Sequence, residues 1–94
     1  MRLRWKKRAL NNFFAIKNHI ARYNSNAAER VGAEIQAAAI RLKQFPRLGH
    51  PGERIGVLEL QVPGRPYLLL YCVEGEGIEI LSVFDQRRDP EDML

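Results

Sequence analysis

Arginines that directly follow a predicted strand are the side chains best placed for chemistry in this sequence. Arg87 and Arg88 come just after an apolar run, residues 78–84, so a rigid element would hold two adjacent guanidinium groups. Such a pair suits a phosphate or a carboxylate, because planar guanidinium groups bind both through paired hydrogen bonds. Further basic residues near the predicted sheet are Arg47, His50, Arg54 and Arg65. The alternative is a solvated rim in which these basic residues pair with the acidic residues that follow Phe84.

The sequence lacks the residue spacings typical of a metal site or an activated nucleophile. His19 and His50 are the two histidines and lie far apart, and Cys72 is the one cysteine. Neither HExxH nor CxxC occurs, and Gly75 and Gly77 are explained as turn residues of a hairpin. We therefore expect no metal and no cofactor. A lone cysteine in an apolar run predicts a buried side chain and no disulfide framework, which suits a reducing compartment.

Residues 55–88 predict three consecutive strands, because short apolar runs are bounded there by Gly and Pro clusters. The runs are residues 57–62, 67–73 and 78–84. The middle run is almost wholly apolar, which predicts a central strand with both faces covered. Since short turns join the runs, we expect an antiparallel meander.

Two helices precede these strands. Apolar residues recur every three or four positions over residues 9–23 and again over residues 27–45. Asn26 approximates a capping box at the start of the second helix, and Pro46 ends it. The short connection predicts an antiparallel helical hairpin, and residues 3–5 are a candidate first strand. We predict an α+β fold, a helical hairpin packed on one face of a small antiparallel sheet in the order β-α-α-β-β-β.

Composition and charge fit one globular domain over residues 1–94, with 46% apolar and 28% charged residues arguing against disorder. Residues 1–28 contain seven Lys and Arg and no acidic residue, whereas the rest contains eight basic and eleven acidic residues. A basic N-terminal third attracts acidic partners, whether nucleic acid or a protein segment. No unbroken apolar stretch follows the basic start, so we expect no signal peptide, no membrane span and a cytoplasmic protein.

Eight short stretches, taken in order, form a recognisable set: residues 20–24, 26–28, 42–46, 49–52, 58–60, 66–71, 80–84 and 87–90. This set resembles the RelE/ParE superfamily of bacterial type II toxin–antitoxin toxins, and most closely its ParE branch. The resemblance covers nearly the whole chain. It implies a growth-inhibiting toxin that a cognate ParD-like antitoxin neutralises by direct binding, and that associates with DNA only through that antitoxin.

The superfamily divides by target. Members like RelE cut mRNA in the ribosomal A site, whereas members like ParE are described as poisoning DNA gyrase. Cleavage by a 2′-hydroxyl needs a base, an acid and cations on the phosphate. The nuclease members typically place an Arg directly after the Tyr of the central strand, and often add a His or Tyr near the C-terminus. Here Leu68 follows Tyr67, and neither His nor Tyr occurs after Tyr71.

The resemblance therefore implies an inhibitory binder of DNA gyrase rather than an enzyme, with no catalytic residues. The alternative is a ribosome-dependent mRNA endoribonuclease with a divergent site made of His50, Arg54, Arg87 and Arg88. A third possibility is an inactive relative that survives as a binding module.

Two binding surfaces follow from the same resemblance. The expected contacts with the target are Arg65, Arg87 and Arg88. The antitoxin, with a DNA-binding N-terminal part and an initially disordered C-terminal part, is expected to wrap the hairpin and the exposed sheet, because the first helix carries more apolar area than one stripe. Its expected contacts are Phe13, Phe14, Ile16, Ile20, Tyr67, Leu69 and Tyr71. The alternative is that these side chains, above all Phe13 and Ile20, belong to the core.

Overall fold

In the computed structural model, which describes residues 1–93, two helices and five strands build the fold. The chain forms β1 (Arg2–Trp5), α1 (Lys7–Ala21), α2 (Ser25–Arg41), β2 (His50–Pro51), β3 (Leu58–Gln61), β4 (Tyr67–Glu74) and β5 (Gly77–Asp85), then a short 3-10 helix, Pro90–Asp92. The sheet order is β1-β5-β4-β3-β2. The predicted α+β class, with a helical hairpin on a sheet, is confirmed.

The sheet is mixed rather than antiparallel throughout. β3, β4 and β5 form the predicted meander, with β4 at the centre. β1 pairs with β5 in parallel orientation, which the long connection through the helical hairpin and the meander permits. β2 lies between α2 and β3 and pairs with β3 as a two-residue edge strand.

The helix ends differ from the predicted ones because of local hydrogen bonds. Asn24, rather than Asn26, caps α2: its Oδ1 accepts a hydrogen bond from the backbone N–H of Ala27 at 2.9 Å. α2 ends at Arg41, and residues 42–44 continue as a turn before Pro46. In this turn the backbone N–H of Gln44 donates to the Arg41 carbonyl at 3.1 Å, the tighter spacing common at helix ends.

Both faces of β4 are covered, as its apolar run predicts. Leu69 and Tyr71 pack into the main core between the sheet and the helical hairpin. Leu68 and Leu70 belong to a second cluster on the opposite side, where the C-terminal segment packs against them through Met93. Because both faces of the strand are covered, apolar side chains stabilise it at every position, and its sequence need not alternate between apolar and polar residues.

The Tyr71 hydroxyl ties the centre of the sheet to the loop after α2. It donates a hydrogen bond to the Pro46 carbonyl and accepts one from the Gly49 N–H, each at 2.9 Å. A Cβ at Gly49 would lie 2.6 Å from the Glu59 carbonyl oxygen and 2.8 Å from the Tyr71 hydroxyl, so only glycine fits. Burial raises the pKa of Tyr71, which keeps the hydroxyl protonated and able to donate. The loop that leads into β2 is thereby fixed against β3 and β4.

We expect Tyr71→Phe to lower the free energy of unfolding by about 1–3 kcal/mol, because a part-buried N–H and a part-buried carbonyl lose their partner while the ring is kept. Urea denaturation of the purified protein measures this. The matched control is Tyr23→Phe, since Tyr23 is 80% exposed, and it should leave stability unchanged. Equal stability of Tyr71→Phe and the wild type would show that the hydroxyl does not hold the loop.

Candidate functional site

A groove rich in cations runs along one side of α1, between that helix and the ends of β4 and β5. It consists of two connected clefts of about 300 and 370 Å³, which share His19, Tyr67 and Arg87. We call it the basic groove. Its helix wall carries Arg8, Asn12, Ile16, His19 and Ile20, and its strand wall carries Arg65, Tyr67, Asp85, Arg87 and Arg88.

The helix wall is one face of α1, because its residues recur at intervals of three and four. The position of that face follows from where β1 stops. Pairing of β1 with β5 ends at Trp5, opposite Ile80. Beyond this point α1 crosses the edge of β5, and Asn12 acts in place of a strand partner: its Oδ1 accepts hydrogen bonds from the Val83 N–H at 3.1 Å and the Ser82 hydroxyl at 3.2 Å.

The sequence pattern did not single out Asn12. The sequence feature that could have pointed to Asn12 is its position: it is a polar residue on the apolar side of the predicted helix, between Ala9 and Ile16. The partner that explains this residue, an edge N–H on β5, is far away in the chain, so periodicity alone could not assign its role.

Arg87 is held in one orientation by Asp85 and Tyr67. Its Nε and Nη2 donate to the two Asp85 carboxylate oxygens at 2.9 and 2.8 Å, and its backbone N–H donates to the same carboxylate at 3.0 Å. The guanidinium carbon lies 5.9 Å from the centre of the Tyr67 ring, a cation–π distance. A guanidinium has five N–H donors, so this pairing leaves Arg87 able to contact a further acceptor. The same pairing lowers the pKa of Asp85 and raises that of Arg87.

Arg65 is fixed in a similar way at the other end of the groove. Its Nε and Nη2 each lie 2.9 Å from a carboxylate oxygen of Glu34, which ties the β3–β4 turn to α2. The hydrogen bond from Arg65 lowers the pKa of Glu34. Gly64 in this turn has a φ of +72°, a conformation that favours glycine.

The three predicted target-binding residues line one groove. Arg87 and Arg88 line the first cleft, and Arg65 and Arg87 line the second. The alternative of a solvated rim held by ion pairs is also correct in part. Arg87 pairs with Asp85, as that alternative requires, and Arg65 pairs with Glu34.

The residues of the alternative nuclease site are not brought together. His50 lies on the edge strand β2, with β3 and β4 between it and β5, a separation of roughly 14 Å at the usual strand spacing. Arg54 lines a different cleft, beside the C-terminal segment. Arg87 and Arg88 therefore lie apart from His50 and Arg54.

Four of the residues predicted to contact the antitoxin are instead buried in the core. Phe13, Tyr67, Leu69 and Tyr71 are between 0% and 5% exposed and belong to the core, because they pack between the helical hairpin and the sheet. They offer almost no surface to a partner.

The exposed apolar area of α1 is at Phe14, which is 53% exposed, and at Leu10. Ile16 and Ile20 are half-buried, one in each cleft of the basic groove. Other large exposed apolar side chains that the sequence did not single out are Ile40, Phe45, Leu48 and Ile55.

Among the described residues, no group of His, Cys, Asp and Glu is arranged to hold a metal ion. Within the same part of the chain, none of the helices has the length and apolar character needed to cross a bilayer.

Residues 3–90 match the family model described as the ParE toxin of the type II toxin–antitoxin system, parDE. The chain belongs to the ParE toxin family. The toxin is also 35% identical over 82 residues to the protein named "Putative toxin Y4kP" from Sinorhizobium fredii (strain NBRC 101917 / NGR234), an alignment that covers 87% of this chain and 84% of that protein. The predicted resemblance to the RelE/ParE superfamily, close to ParE, is confirmed.

Solved structures of related fold support the architecture of this ParE-family toxin. A chain from the structure of the chromosomal ParDE TA system from P. aeruginosa superposes with a TM-score of 0.76 at 24% identity, covering 90% of this chain and 95% of that one. The isolated E. coli RelE toxin superposes with a TM-score of 0.59 at 16% identity, covering 96% and 88% of the two chains. At these identities the likeness concerns the fold alone.

We expect Asp85→Asn to lower the free energy of unfolding by about 0.5–1 kcal/mol at pH 7, a modest value because the Arg87 side chain is 65% exposed. The folded-state pKa of Asp85 is depressed, so this contribution is present above the unfolded value near 4 and is lost as the pH falls through the folded-state pKa. Urea denaturation of both proteins across acidic pH measures the difference.

The control for this experiment is Glu76→Gln, in the exposed β4–β5 turn, which should change stability little at any pH. A difference between Asp85→Asn and the wild type that stays constant down to the lowest pH would contradict the assigned ion pair.

Proposed function

We propose that this type II toxin inhibits growth by binding and poisoning DNA gyrase, and that a cognate ParD-like antitoxin neutralises it by direct binding. The choice of DNA gyrase over RNA as the target rests on the environment of Leu68. This residue follows Tyr67, where the nuclease relatives place a phosphate-binding arginine. Its side chain is 9% exposed and packs with Leu70 and Phe84 in the second cluster. An apolar side chain in that place supports a binder rather than an RNA-cleaving enzyme.

We assign Arg65, Arg87 and Arg88 as the residues that contact the target. Arg65 and Arg87 are each held by a bidentate carboxylate partner, so little side-chain entropy is lost when they bind. A rigid cationic groove suits an acidic surface of a protein or protein–DNA complex. With this function the toxin would act in the cytoplasm. We also infer that residues 1–94 form one domain.

We assign the antitoxin surface to the exposed side of α1. Phe14 contributes an exposed ring whose centre is 5.3 Å from that of Phe13, so the core holds it in place. Ile16 and Ile20 extend this apolar surface into the basic groove. The P. aeruginosa structure of similar fold is that of a ParDE system, which supports an antitoxin as the partner of this chain.

The second candidate is a ribosome-dependent mRNA endoribonuclease. The adjacent pair Arg87 and Arg88, which follows β5, favours it. The separation of His50 and Arg54 from that pair counts against it, because cleavage needs the base, the acid and the cations around one phosphate.

Two assays with the purified toxin test these functions side by side. The first is supercoiling and DNA cleavage by DNA gyrase, and the second is cleavage of mRNA on programmed ribosomes. We expect gyrase inhibition and intact mRNA. The double variant Arg87→Ala, Arg88→Ala should need about tenfold more protein for half-inhibition, because it removes two charged contacts.

The matched control is Arg41→Ala, an exposed arginine at the end of α2 and outside the groove, which should inhibit like the wild type. Cleavage of mRNA only in the presence of ribosomes would overturn the proposed target. Inactivity in both assays would favour the inactive binding module.

A further inference from the structure

We propose that the loop between β2 and β3 is a self-association surface, through which two copies of this chain form a symmetric dimer. The surface consists of Ile55, which protrudes from the loop, and of a cleft of about 470 Å³ beside it, lined by residues 51–58 with Arg47 and Val73. We call it the loop surface. Among the described residues it shares none with the basic groove, so the inference goes beyond the proposed function.

Ile55 is an apolar side chain that the loop holds in solvent. It is 104% exposed, so no described part of the chain covers it. Two backbone hydrogen bonds fix the loop: the Gly52 N–H donates to the Val57 carbonyl at 3.0 Å, and the Val57 N–H donates to the Arg54 carbonyl at 3.1 Å. Gly56 has a φ of +82°, a conformation that favours glycine. Because the loop is already ordered, little entropy is lost when Ile55 contacts a partner.

The cleft beside Ile55 has an apolar floor. Leu58 and Val73 are half-buried there, and both pack against the main core from below. Pro51 and Val57 complete the apolar part of the lining. A cleft of this kind accepts an apolar side chain, because the contact removes apolar area on both sides from water.

The position of Ile55 next to the cleft favours a closed dimer. Ile55 itself lines the cleft, so the protruding side chain and the concave surface lie on the same loop. In a two-fold contact the same patch of both copies meets, and each Ile55 can lie against the cleft of the other copy. A protruding side chain far from its cleft would instead join copies head to tail, into a ring or an open chain.

The charges around the cleft also suit a second copy. Arg47 and Glu53 carry opposite charges and line the same cleft. Within the described part of the chain, neither takes part in an ion pair. Across a two-fold axis, Glu53 of one copy can pair with Arg47 of the other, and this pair occurs twice in the dimer. Nucleic acid is a poorer occupant, because Glu53 repels phosphate.

The exposed area of the chain leaves surface for such a contact. A typical monomer of this mass exposes about 5,500 Å², whereas this chain exposes 6226 Å². The difference of roughly 700 Å² is close to the ~800 Å² that each partner buries in a standard interface. The loop surface is one part of this area, so we expect a weak dimer that forms as the concentration rises.

Sedimentation equilibrium of the purified toxin between about 5 and 500 μM tests this, a range chosen for weak association. We expect the mean mass to rise from that of one chain towards that of two. Ile55→Ser should raise the dissociation constant of the dimer about tenfold or more. The matched control is Ile40→Ser, since Ile40 is also exposed, at 58%, and lies on α2 outside the cleft. This variant should associate like the wild type.

Two charge reversals test the two-fold pairing. Glu53→Arg and Arg47→Glu should each weaken self-association about tenfold, because each gives like charges on both sides of the axis. An equimolar mixture of the two variants should associate about as tightly as the wild type, since their charges are then complementary in both pairs.

A wild type that stays monomeric over the whole range would overturn the inference, as would equal effects of Ile55→Ser and Ile40→Ser. A mixture of the charge variants that associates no better than either variant alone would overturn the two-fold pairing. A monomeric wild type combined with weaker gyrase inhibition by Ile55→Ser would assign the loop surface to the target instead of a second copy. Since sedimentation needs neither gyrase nor antitoxin, a failed dimer leaves the proposed function standing, and a failed gyrase assay leaves the dimer standing.

Discussion

The groove exists because α1 lies across the edge of β5 and is bonded to it through Asn12. β1 covers β5 only as far as Ile80, so the edge beyond it would leave backbone donors without a strand partner. Asn12 accepts the N–H of Val83, and the side chain of Ser82 bonds to the same oxygen. This hydrogen bond satisfies an N–H at the sheet edge and holds α1 close to β5, while the basic groove stays open between the helix and the end of the strand. The cations of both walls therefore face one groove.

The hairpin and the meander could be predicted because their signals are local. Periods of three and four mark the helices, and Gly and Pro clusters mark the ends of the strands. The parallel pairing of β1 could not be predicted, since Arg2 lies opposite Gly77, at the other end of the chain. The N-cap was misplaced by two residues because Asn24 and Asn26 offer the same local chemistry. Only the folded backbone shows which of them reaches an N–H of the helix.

For the candidate site, the sequence located the cations but not their partners. Arg87 and Arg88 follow a strand, and this was enough to predict a fixed pair. The Glu34 that holds Arg65 is on another element, and no spacing rule links the two. The fold also decides between the two alternatives for neighbouring aromatic residues. Phe13, which one alternative assigned to the core, is buried, whereas Phe14 is 53% exposed, a difference set by the rotation of α1 against the sheet.

We propose that the toxin binds its target through the groove between α1 and β5. Hydrogen–deuterium exchange of the toxin, alone and with DNA gyrase, tests this most directly. We predict slower exchange at residues 8–20, 64–67 and 82–88 in the complex, with β2 and β3 unchanged. Protection confined to β2, β3 and the C-terminal segment would contradict this proposal, because the target would then bind away from the groove, towards the far edge of the sheet.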